Sequence, residues 1–157
     1  MYQYISEEGL SPLFYFIKKY DLKYFVSFRK VDFENDYFEN LFFIDFYESN
    51  NQKFYNDPHI ETTIITIISD YFKRNPNVII SYVCDIVDYK QDFRKRLFDK
   101  WYKNFNDNKF SKINFQYEIE NNSITYHLSL IFRSELYKEE ELIENVNLQL
   151  EEFTNLK

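Results

Sequence analysis

The sequence lacks the residues from which several common kinds of functional site are built. Its 157 residues include no alanine, one glycine (Gly9), three prolines and one cysteine (Cys84). Glycine-rich nucleotide fingerprints, phosphate-binding loops and nucleophile elbows each need several glycines, because the backbone must turn sharply or approach the ligand closely. A single cysteine excludes a disulfide framework and a cysteine-based zinc site. We therefore expect no bound cofactor and no metal centre of these kinds.

Basic residues are outnumbered by acidic ones. Lysine and arginine total 19 against 26 aspartate and glutamate residues, which gives a formal net charge of −7. This balance argues against a protein whose whole surface binds nucleic acid or a membrane. The first residues lack the basic and apolar segments of a signal peptide, and no apolar run is long enough to cross a bilayer. Together with the lone cysteine, these features predict a cytoplasmic protein without membrane contact.

Aromatic residues, by contrast, make up 22% of the chain, with 18 Phe, 15 Tyr and 1 Trp. Phe, Tyr, Ile, Asn and Lys all have A/T-rich codons, so an A/T-rich genome is the simpler interpretation of this excess. Aromatic side chains outside the core could still stack on bases or form a protein interface. Candidates for such a role are Phe42, Phe43, Phe46 and Tyr47. The acidic balance favours a protein partner over nucleic acid.

The length predicts one domain over residues 1–157 with a single core. Asn and Asp tolerate positive φ better than most residues, so their clusters mark the turns. The clusters are Asn35-Asp36, Asn50-Asn51, Asn56-Asp57, Asn106-Asp107-Asn108 and Asn121-Asn122. Between Pro12 and Asn50, aromatic and β-branched residues predict a three-stranded antiparallel meander. Its strands are Leu13 to Lys18, Leu22 to Val31 and Leu41 to Glu48.

A helix is predicted next, because Asp57-Pro58 is typical of a helix start and Asn75-Pro76 of a helix end. The apolar run Val78 to Cys84 indicates a buried strand. A second helix begins near Asp88, where Gln91 follows at the spacing of a capping box. Its apolar stripe consists of Phe93, Leu97, Trp101 and Phe105.

Two alternating segments, Phe110 to Ile119 and Ile124 to Phe132, predict a hairpin. The last helix covers about Lys138 to Phe153 and has three glutamates at its positive end. The complete order is β-β-β-α-β-α-β-β-α. We therefore expect an α+β fold with the helices packed on an antiparallel or mixed sheet.

Basic residues are concentrated around the second helix. Between Tyr89 and Lys112, eight basic residues oppose three acidic ones, a net charge of +5. At helical spacing Arg96, Lys100 and Lys103 share an outward face, which could bind phosphate or an acidic partner. A solvated helix face beside acidic neighbours is the simpler interpretation.

Arg94 differs from those residues, because on the same helical wheel it lies inside the apolar stripe, beside Trp101. A guanidinium there must reach solvent or pair with a carboxylate, since an unpaired buried charge is costly. Asp85 and Asp88 are the nearest acidic residues in sequence. Structural pairing is the simpler interpretation, and a catalytic or binding site that includes Arg94 and Trp101 is the alternative.

Two weaker patterns suggest catalysis. Asp88-Tyr89-Lys90 matches the D-x-K half of a metal-dependent nuclease signature, in which carboxylates hold Mg²⁺ and the lysine assists a water. That signature belongs on a strand, whereas here it opens a helix. Cys84 and His127 could form a dyad if their strands adjoin, although a buried cysteine is more often a small apolar residue.

Three segments together resemble a family of small, uncharacterised bacterial proteins found in Bacteroidetes-type genomes and known only as a domain of unknown function. The segments are Asp57-Pro58-His59-Ile60, Val78 to Asp85 and Arg94 to Trp101. The most recognisable pieces are Tyr82-Val83-Cys84-Asp85 and the Arg-x-x-Leu-Phe-x-x-Trp pattern from Arg94 to Trp101. The resemblance extends over nearly the whole chain. It implies a bacterial cytoplasmic origin and supplies no activity, cofactor or catalytic residue.

The leading hypothesis is a non-catalytic interaction protein that holds a protein partner on an aromatic sheet face or on the basic second helix. A toxin–antitoxin pair or a phage-defence system is the setting that its size and lineage suggest. The alternative is a metal-dependent enzyme acting on nucleic acid or a phosphorylated small molecule. Its residues would be Asp85, Asp88, Lys90 and Arg94. Nucleic-acid binding without catalysis, at the basic helix, is a third hypothesis.

Overall fold

Seven strands form one sheet and three helices pack against it in the part of the chain that the structure describes. A computed structural model describes residues 1–9, 12–18, 21–30, 33–49, 57–84, 91–105, 107–119 and 124–155. The strands are β1 (Tyr4–Glu7), β2 (Leu13–Ile17), β3 (Lys23–Lys30), β4 (Leu41–Glu48), β5 (Ile79–Cys84), β6 (Phe110–Ile119) and β7 (Ile124–Arg133). The helices are α1 (Pro58–Arg74), α2 (Gln91–Phe105) and α3 (Glu139–Asn155). A 3-10 turn, Asp36–Phe38, precedes β4.

The predicted α+β class and element order are confirmed from β2 onward. The strand order in the sheet is β1-β2-β3-β4-β5-β7-β6. Neighbouring strands are antiparallel except β4 and β5, which are parallel because α1 carries the chain back between them. The sheet is therefore mixed, with one parallel pair between an N-terminal meander and a C-terminal hairpin.

The sequence pattern did not predict β1, which extends the meander by one edge strand. Its four residues carry too short an alternation to stand out, and contacts with α1 hold them in place. The Tyr2 N–H donates to Thr63 Oγ1 at 2.8 Å, and the Tyr4 hydroxyl donates to Asp70. Burial and this bond to Asp70 raise the pKa of Tyr4 to about 12. Tertiary contacts thus complete a strand that local propensity alone specifies weakly.

Both predicted ends of α1 are confirmed. Asp57 is the N-cap and accepts the His59 N–H at 2.9 Å, with Pro58 as the first helical residue. Asn75 ends the helix, and its side chain donates to the Tyr71 carbonyl at 3.1 Å. The Tyr2 hydroxyl also donates to Asp57 Oδ2 at 2.6 Å. The cap therefore joins the helix to the N-terminal segment as well as satisfying its own backbone.

Replacing Asp57 with alanine is expected to lower the free energy of unfolding by about 1 kcal/mol at neutral pH. Burial alone would raise the pKa of Asp57, but the hydrogen bonds from Tyr2 and His59 outweigh it and lower the pKa. A pKa that is lower in the folded state stabilises the protein above the unfolded value, near 4, and this stabilisation is lost as pH falls through the folded value. The loss of unfolding free energy caused by Asp57→Ala should therefore be smaller in acid.

Urea denaturation at several pH values measures this deficit. Asp57→Asn is the matched control, because asparagine caps a helix well without a charge. We expect a smaller deficit for it at neutral pH. A deficit for Asp57→Ala that is the same at pH 7 and at about pH 2.5 would contradict the role of the ionised carboxylate.

The core lies on both faces of the sheet. Helices α1 and α2 cover the face formed by β2, β3, β4 and β5, and their side chains include Ile64, Ile68 and Trp101. Helix α3 covers the opposite face over β5, β7 and β6, where Leu142 and Val146 pack against Ile79, Leu130 and Phe132. The helices are thus distributed unequally, with two on one face and one on part of the other.

The predicted apolar stripe of α2 is right for Leu97 and Trp101 and wrong for Phe105. Leu97 and Trp101 are each 1% exposed, whereas Phe105 is 45% exposed. Phe105 is the last helical residue, where α2 has passed the edge of the core. Phe98, which stacks on Tyr82 with ring centroids 3.9 Å apart, packs against the sheet as well. The side chain of Phe93 lies outside the described residues.

Positive φ occurs at Asp21 and Asn108, both at 57°, and not at Gly9. Asn108 belongs to a turn predicted from its Asn and Asp content, and Asp21 lies between β2 and β3. Short polar side chains therefore do take the place of glycine here. Asn35 has a related role, because its side chain accepts the Tyr37 N–H at 3.0 Å at the start of the 3-10 turn. The other cluster residues that lie outside the described residues are Asn50, Asn51, Asn56, Asn106, Asn121 and Asn122.

Candidate functional site

The candidate site is the face of β1 to β4 that points away from α1 and α2, here called the outer face. Along β2, β3 and β4 the side chains alternate, so that Phe16, Val26 and Phe46 are buried under the helices. The intervening residues lie on the outer face. Ile5, Ile17 and Tyr47 on that face are 54%, 49% and 42% exposed. Among the described elements, α3 reaches this face only near Leu41.

An aromatic ladder, consisting of Tyr15, Phe25 and Tyr47, crosses the outer face. The residues are direct partners in the sheet register, Tyr15 with Phe25 and Phe25 with Tyr47, and Ile5 pairs with Tyr15 at the β1 end. The rings of Phe25 and Tyr47 stack with centroids 4.9 Å apart and an interplanar angle of 15°. Tyr15 and Phe25 are 6.1 Å apart. Cross-strand aromatic pairs stabilise a sheet, yet they leave an apolar surface when no helix covers them.

Charged residues flank the ladder and balance one another. Lys23 Nζ lies 5.4 Å from the centre of the Tyr15 ring, and the Arg29 guanidinium lies 5.5 Å from that of Phe43. Arg29 Nε is also 3.6 Å from Asp45 Oδ2. With Glu7, the outer face carries two positive and two negative side chains. It is therefore formally neutral on a chain whose net charge is −7.

The basic face predicted on α2 is present but partly neutralised. Arg96, Lys100 and Lys103 are all exposed on this helix. Lys100 Nζ pairs with Glu61 Oε1 of α1 at 3.1 Å. Because intramolecular carboxylates already attract one of these cations, the face is a weaker site for phosphate than its composition suggests.

Lys112 of β6, at the end of the same basic segment, donates to Asp99 of α2. Burial would lower the pKa of Lys112, but the bonds to Asp99 and Tyr82 outweigh it and raise the pKa. Its ammonium also lies 5.8 Å from the centre of the Tyr82 ring. Lys112 therefore joins α2 to the sheet instead of extending a basic surface.

Arg94 is buried, as its place on the helical wheel predicts, with 9% exposed. It lies near a buried polar cluster formed by Lys18, Tyr24 and Glu48. Lys18 Nζ pairs with Glu48 Oε2 at 3.1 Å. Burial and then Glu48 raise the pKa of Tyr24 well above its usual value, and Arg94 opposes them. Arg94 thus belongs electrostatically to a charged cluster at the carboxyl end of β4.

No local sequence pattern brings Lys18, Tyr24 and Glu48 together as members of this cluster. A signal was present, because Lys18 follows Phe14 and Phe16 at the strand period and Glu48 follows Ile44 and Phe46. Both charges therefore fall on the buried face. Asp85, Asp88 and Lys90, the other candidates for a catalytic site, lie outside the described residues.

Trp101, a predicted binding residue, lies in the core. It is 1% exposed, and its indole N–H donates to Ser69 Oγ at 2.9 Å. The ring stacks on Phe72 with centroids 5.3 Å apart and meets Phe110 edge-on at 5.2 Å. Trp101 therefore anchors α2 to α1 and β6, and its side chain is not presented at the surface.

The strands of Cys84 and His127 do adjoin, and the two residues are direct register partners in β5 and β7. His127 is exposed, with Nδ1 3.4 Å from Gln116 Nε2. The Cys84 side chain lies outside the described residues. Among the side chains that are described, no three His, Cys, Asp or Glu residues gather in a group that could hold a metal ion. None of the described helices is long and apolar enough to cross a membrane.

Comparison with protein families gives a match to one family model, the Family of unknown function (DUF6169), over residues 56–148. The chain belongs to this family. The DUF6169 match begins just before α1 and ends within α3, and it contains all three segments that carry the resemblance noted in the sequence. The aromatic ladder precedes the DUF6169 match, whereas Arg94 and Trp101 lie inside it. Neither the curated proteins nor the solved structures contain a significant match.

Proposed function

We propose that this protein is a non-catalytic interaction module that holds a protein partner on the outer face of β1 to β4. The observation that carries the proposal is the aromatic ladder of Tyr15, Phe25 and Tyr47, whose rings adjoin across three strands without a described helix above them. Aromatic residues are enriched in protein interfaces, where they bury much surface at low entropic cost. A single cysteine suits a reducing compartment, which supports a bacterial cytoplasmic setting for this interaction.

Charge supports a protein partner over nucleic acid. Sheets that bind single strands combine stacking aromatics with a positively charged groove. Here Lys23 and Arg29 are balanced by Glu7 and Asp45, and the chain as a whole is acidic. Phosphate groups would therefore gain no net attraction at the ladder. The outer face also offers a more continuous apolar surface than α2, where Lys100 already pairs with Glu61.

Quantitative affinity capture from a lysate of the native host tests the proposal. Tyr47→Lys inserts a charge into the ladder and is expected to lower partner recovery about tenfold or more. Phe105→Lys is the matched control, because Phe105 is 45% exposed and Tyr47 42% exposed. The control should recover the partner at the wild-type level, with both variants folded by circular dichroism.

Equal recovery by wild type and Tyr47→Lys would contradict the proposal. Salt-dependent binding of single-stranded DNA or RNA would favour nucleic-acid binding at α2 instead. A melting temperature that rises with Mg²⁺ and a nucleotide would favour the enzyme hypothesis centred on Arg94.

A further inference from the structure

We infer that the occupant of the outer face is a second copy of this chain, packed face to face about a two-fold axis that runs along the aromatic ladder. The inference rests on the proposed function and names its partner. A two-fold interface requires a patch that is complementary to itself. The outer face meets this requirement in both its apolar residues and its charges.

The outer face is formally neutral, which favours contact with a second copy. The chain carries a net charge of −7, so most pairs of surfaces on two copies repel each other. The two cations and two anions of the outer face cancel, so two copies can approach here without that penalty. A strongly acidic or basic partner would find no complementary net charge on this face.

The sheet register places oppositely charged residues on either side of the ladder. On one side lies a row containing Ile17 and Lys23, which are register partners. On the other side lies a row containing Leu13, Ser27 and Asp45, also joined by the register. Along each strand, the residue in either row lies two positions, about 7 Å, from the ladder residue.

A two-fold axis along the ladder brings each row onto the opposite row of the second copy. Ile17 then faces Leu13 of the second copy. Lys23 faces Ser27 of the second copy, next to Asp45 of that copy. Symmetry repeats both contacts, so the interface gains two apolar contacts and two pairs of opposite charge.

A two-fold axis along the strands would bring like charges together. It exchanges the β1 side of the face with the β4 side. Glu7 then faces Asp45 of the second copy, and symmetry repeats this contact of like charges, which is destabilising. The charge pattern therefore selects the axis along the ladder.

The size of the face predicts a weak, reversible dimer. Four strands about 4.8 Å apart and four rows of side chains give a footprint on the order of 400 Å² per copy. Stable interfaces bury about 800 Å² per partner. We therefore expect a dissociation constant in the micromolar range, on the order of 10 to 100 μM.

Sedimentation-velocity experiments from about 5 to about 500 μM test this inference. Wild type should shift from monomer to dimer over this range. Tyr47→Lys should remain monomeric, and the matched Phe105→Lys should dimerise like wild type. Circular dichroism establishes that each variant is folded.

A charge exchange tests the direction of the axis. Lys23→Glu alone should weaken the dimer about threefold to tenfold, because residue 23 then places a second negative charge next to Asp45 of the second copy. Asp45→Lys alone also removes the ion pair with Arg29 of the same copy and serves as the second single variant. The double variant Lys23→Glu with Asp45→Lys should dimerise more tightly than either single variant, since opposite charges meet again between the copies. Within one copy the two residues lie on opposite sides of the ladder, so this recovery reports contacts between copies.

A wild-type chain that stays monomeric throughout the range overturns the inference, as does a dimer that neither Tyr47→Lys nor the charge changes weaken. The proposed function is judged separately. If the chain is monomeric but affinity capture of a different protein still depends on Tyr47, the outer face binds that other protein and only the inferred second copy is wrong. If neither dimerisation nor capture depends on Tyr47, both proposals fail.

Discussion

Replacing Trp101 with alanine is expected to lower the free energy of unfolding by about 3 to 5 kcal/mol. Trp101 is 1% exposed and contacts Phe72 and Phe110 with its ring. Truncation removes these contacts and leaves a cavity between α2, α1 and β6, which the surrounding aromatic side chains can fill only in part. It also removes the indole N–H that donates a hydrogen bond to Ser69 Oγ. A domain of this size has a total stability of about 5 to 15 kcal/mol, so the loss is a large fraction of it.

Urea denaturation followed by far-ultraviolet circular dichroism measures this loss, since the only tryptophan is absent from the variant. Trp101→Phe should lose less, because it keeps a ring in the cavity but not the N–H donor. Phe105→Ala, on the same helix but 45% exposed, is the matched control and should lose less than about 1 kcal/mol. Similar losses for Trp101→Ala and Phe105→Ala would refute the anchoring role of Trp101.

Replacing Lys18 with methionine is expected to lower the free energy of unfolding by about 3 to 5 kcal/mol. The side chains of Lys18 and Glu48 are 6% and 2% exposed, and their charged atoms are 3.1 Å apart. Methionine fills a similar volume but leaves the Glu48 carboxylate buried without its lysine. The loss of stability comes chiefly from this buried carboxylate, which no longer has its lysine. The Coulomb attraction of a buried pair does little more than offset the desolvation of its two charges.

A double variant separates the cost of leaving Glu48 without its lysine from the net contribution of the ion pair. Lys18→Met with Glu48→Leu removes both charges and should be more stable than Lys18→Met alone. The control pair is Lys73 and Asp70 on α1, with a 3.8 Å separation and a lysine side chain that is 75% exposed. Lys73→Met should change stability by less than about 1 kcal/mol. The interpretation fails if Lys18→Met and Lys73→Met have equal effects, or if the double variant is no better than the single.

These two sites explain why the second helix is better understood as structure than as a binding surface. Trp101 and Arg94, which the sequence marks as candidates, both point into the protein and are buried. Lys100 pairs with a neighbouring helix. The surface features that remain for a partner lie on the other face of the sheet, at the ladder.

Local patterns were sufficient for most of the fold. Asp57 and Asn75 delimit α1, because capping uses only residues within one turn of the helix end. Strands such as β4 could be delimited because side chains alternate along a single strand. Helical spacing also indicated that Arg94 lies among apolar residues. These predictions depend on contacts between residues that are close in sequence.

Features that depend on contacts between residues far apart in sequence are predicted less completely. The strand β1 was missed, because its stability depends on Thr63 and Asp70 of α1. Phe105 was assigned to the core, although the helix passes the edge of the core before reaching it. Sequence patterns do not predict the Lys18–Glu48 pair, because Lys18 directly follows β2, Glu48 ends β4, and the two meet only when the sheet forms.

The sequence by itself determined the α+β class, the order of elements from β2 onward and the absence of glycine-rich and cysteine-based sites. Only the tertiary structure decided which aromatic residues remain exposed. Strand alternation places Phe25 and Phe28 on opposite faces, but only the structure shows that Phe28 is fully buried beneath the helices and stacks on Tyr71, whereas Phe25 lies on the outer face. The physical reason is that α1 and α2 pack on the same face and α3 covers the other face mainly over β5, β7 and β6. How the helices divide between two faces depends on the topology of the whole sheet, which no local pattern encodes.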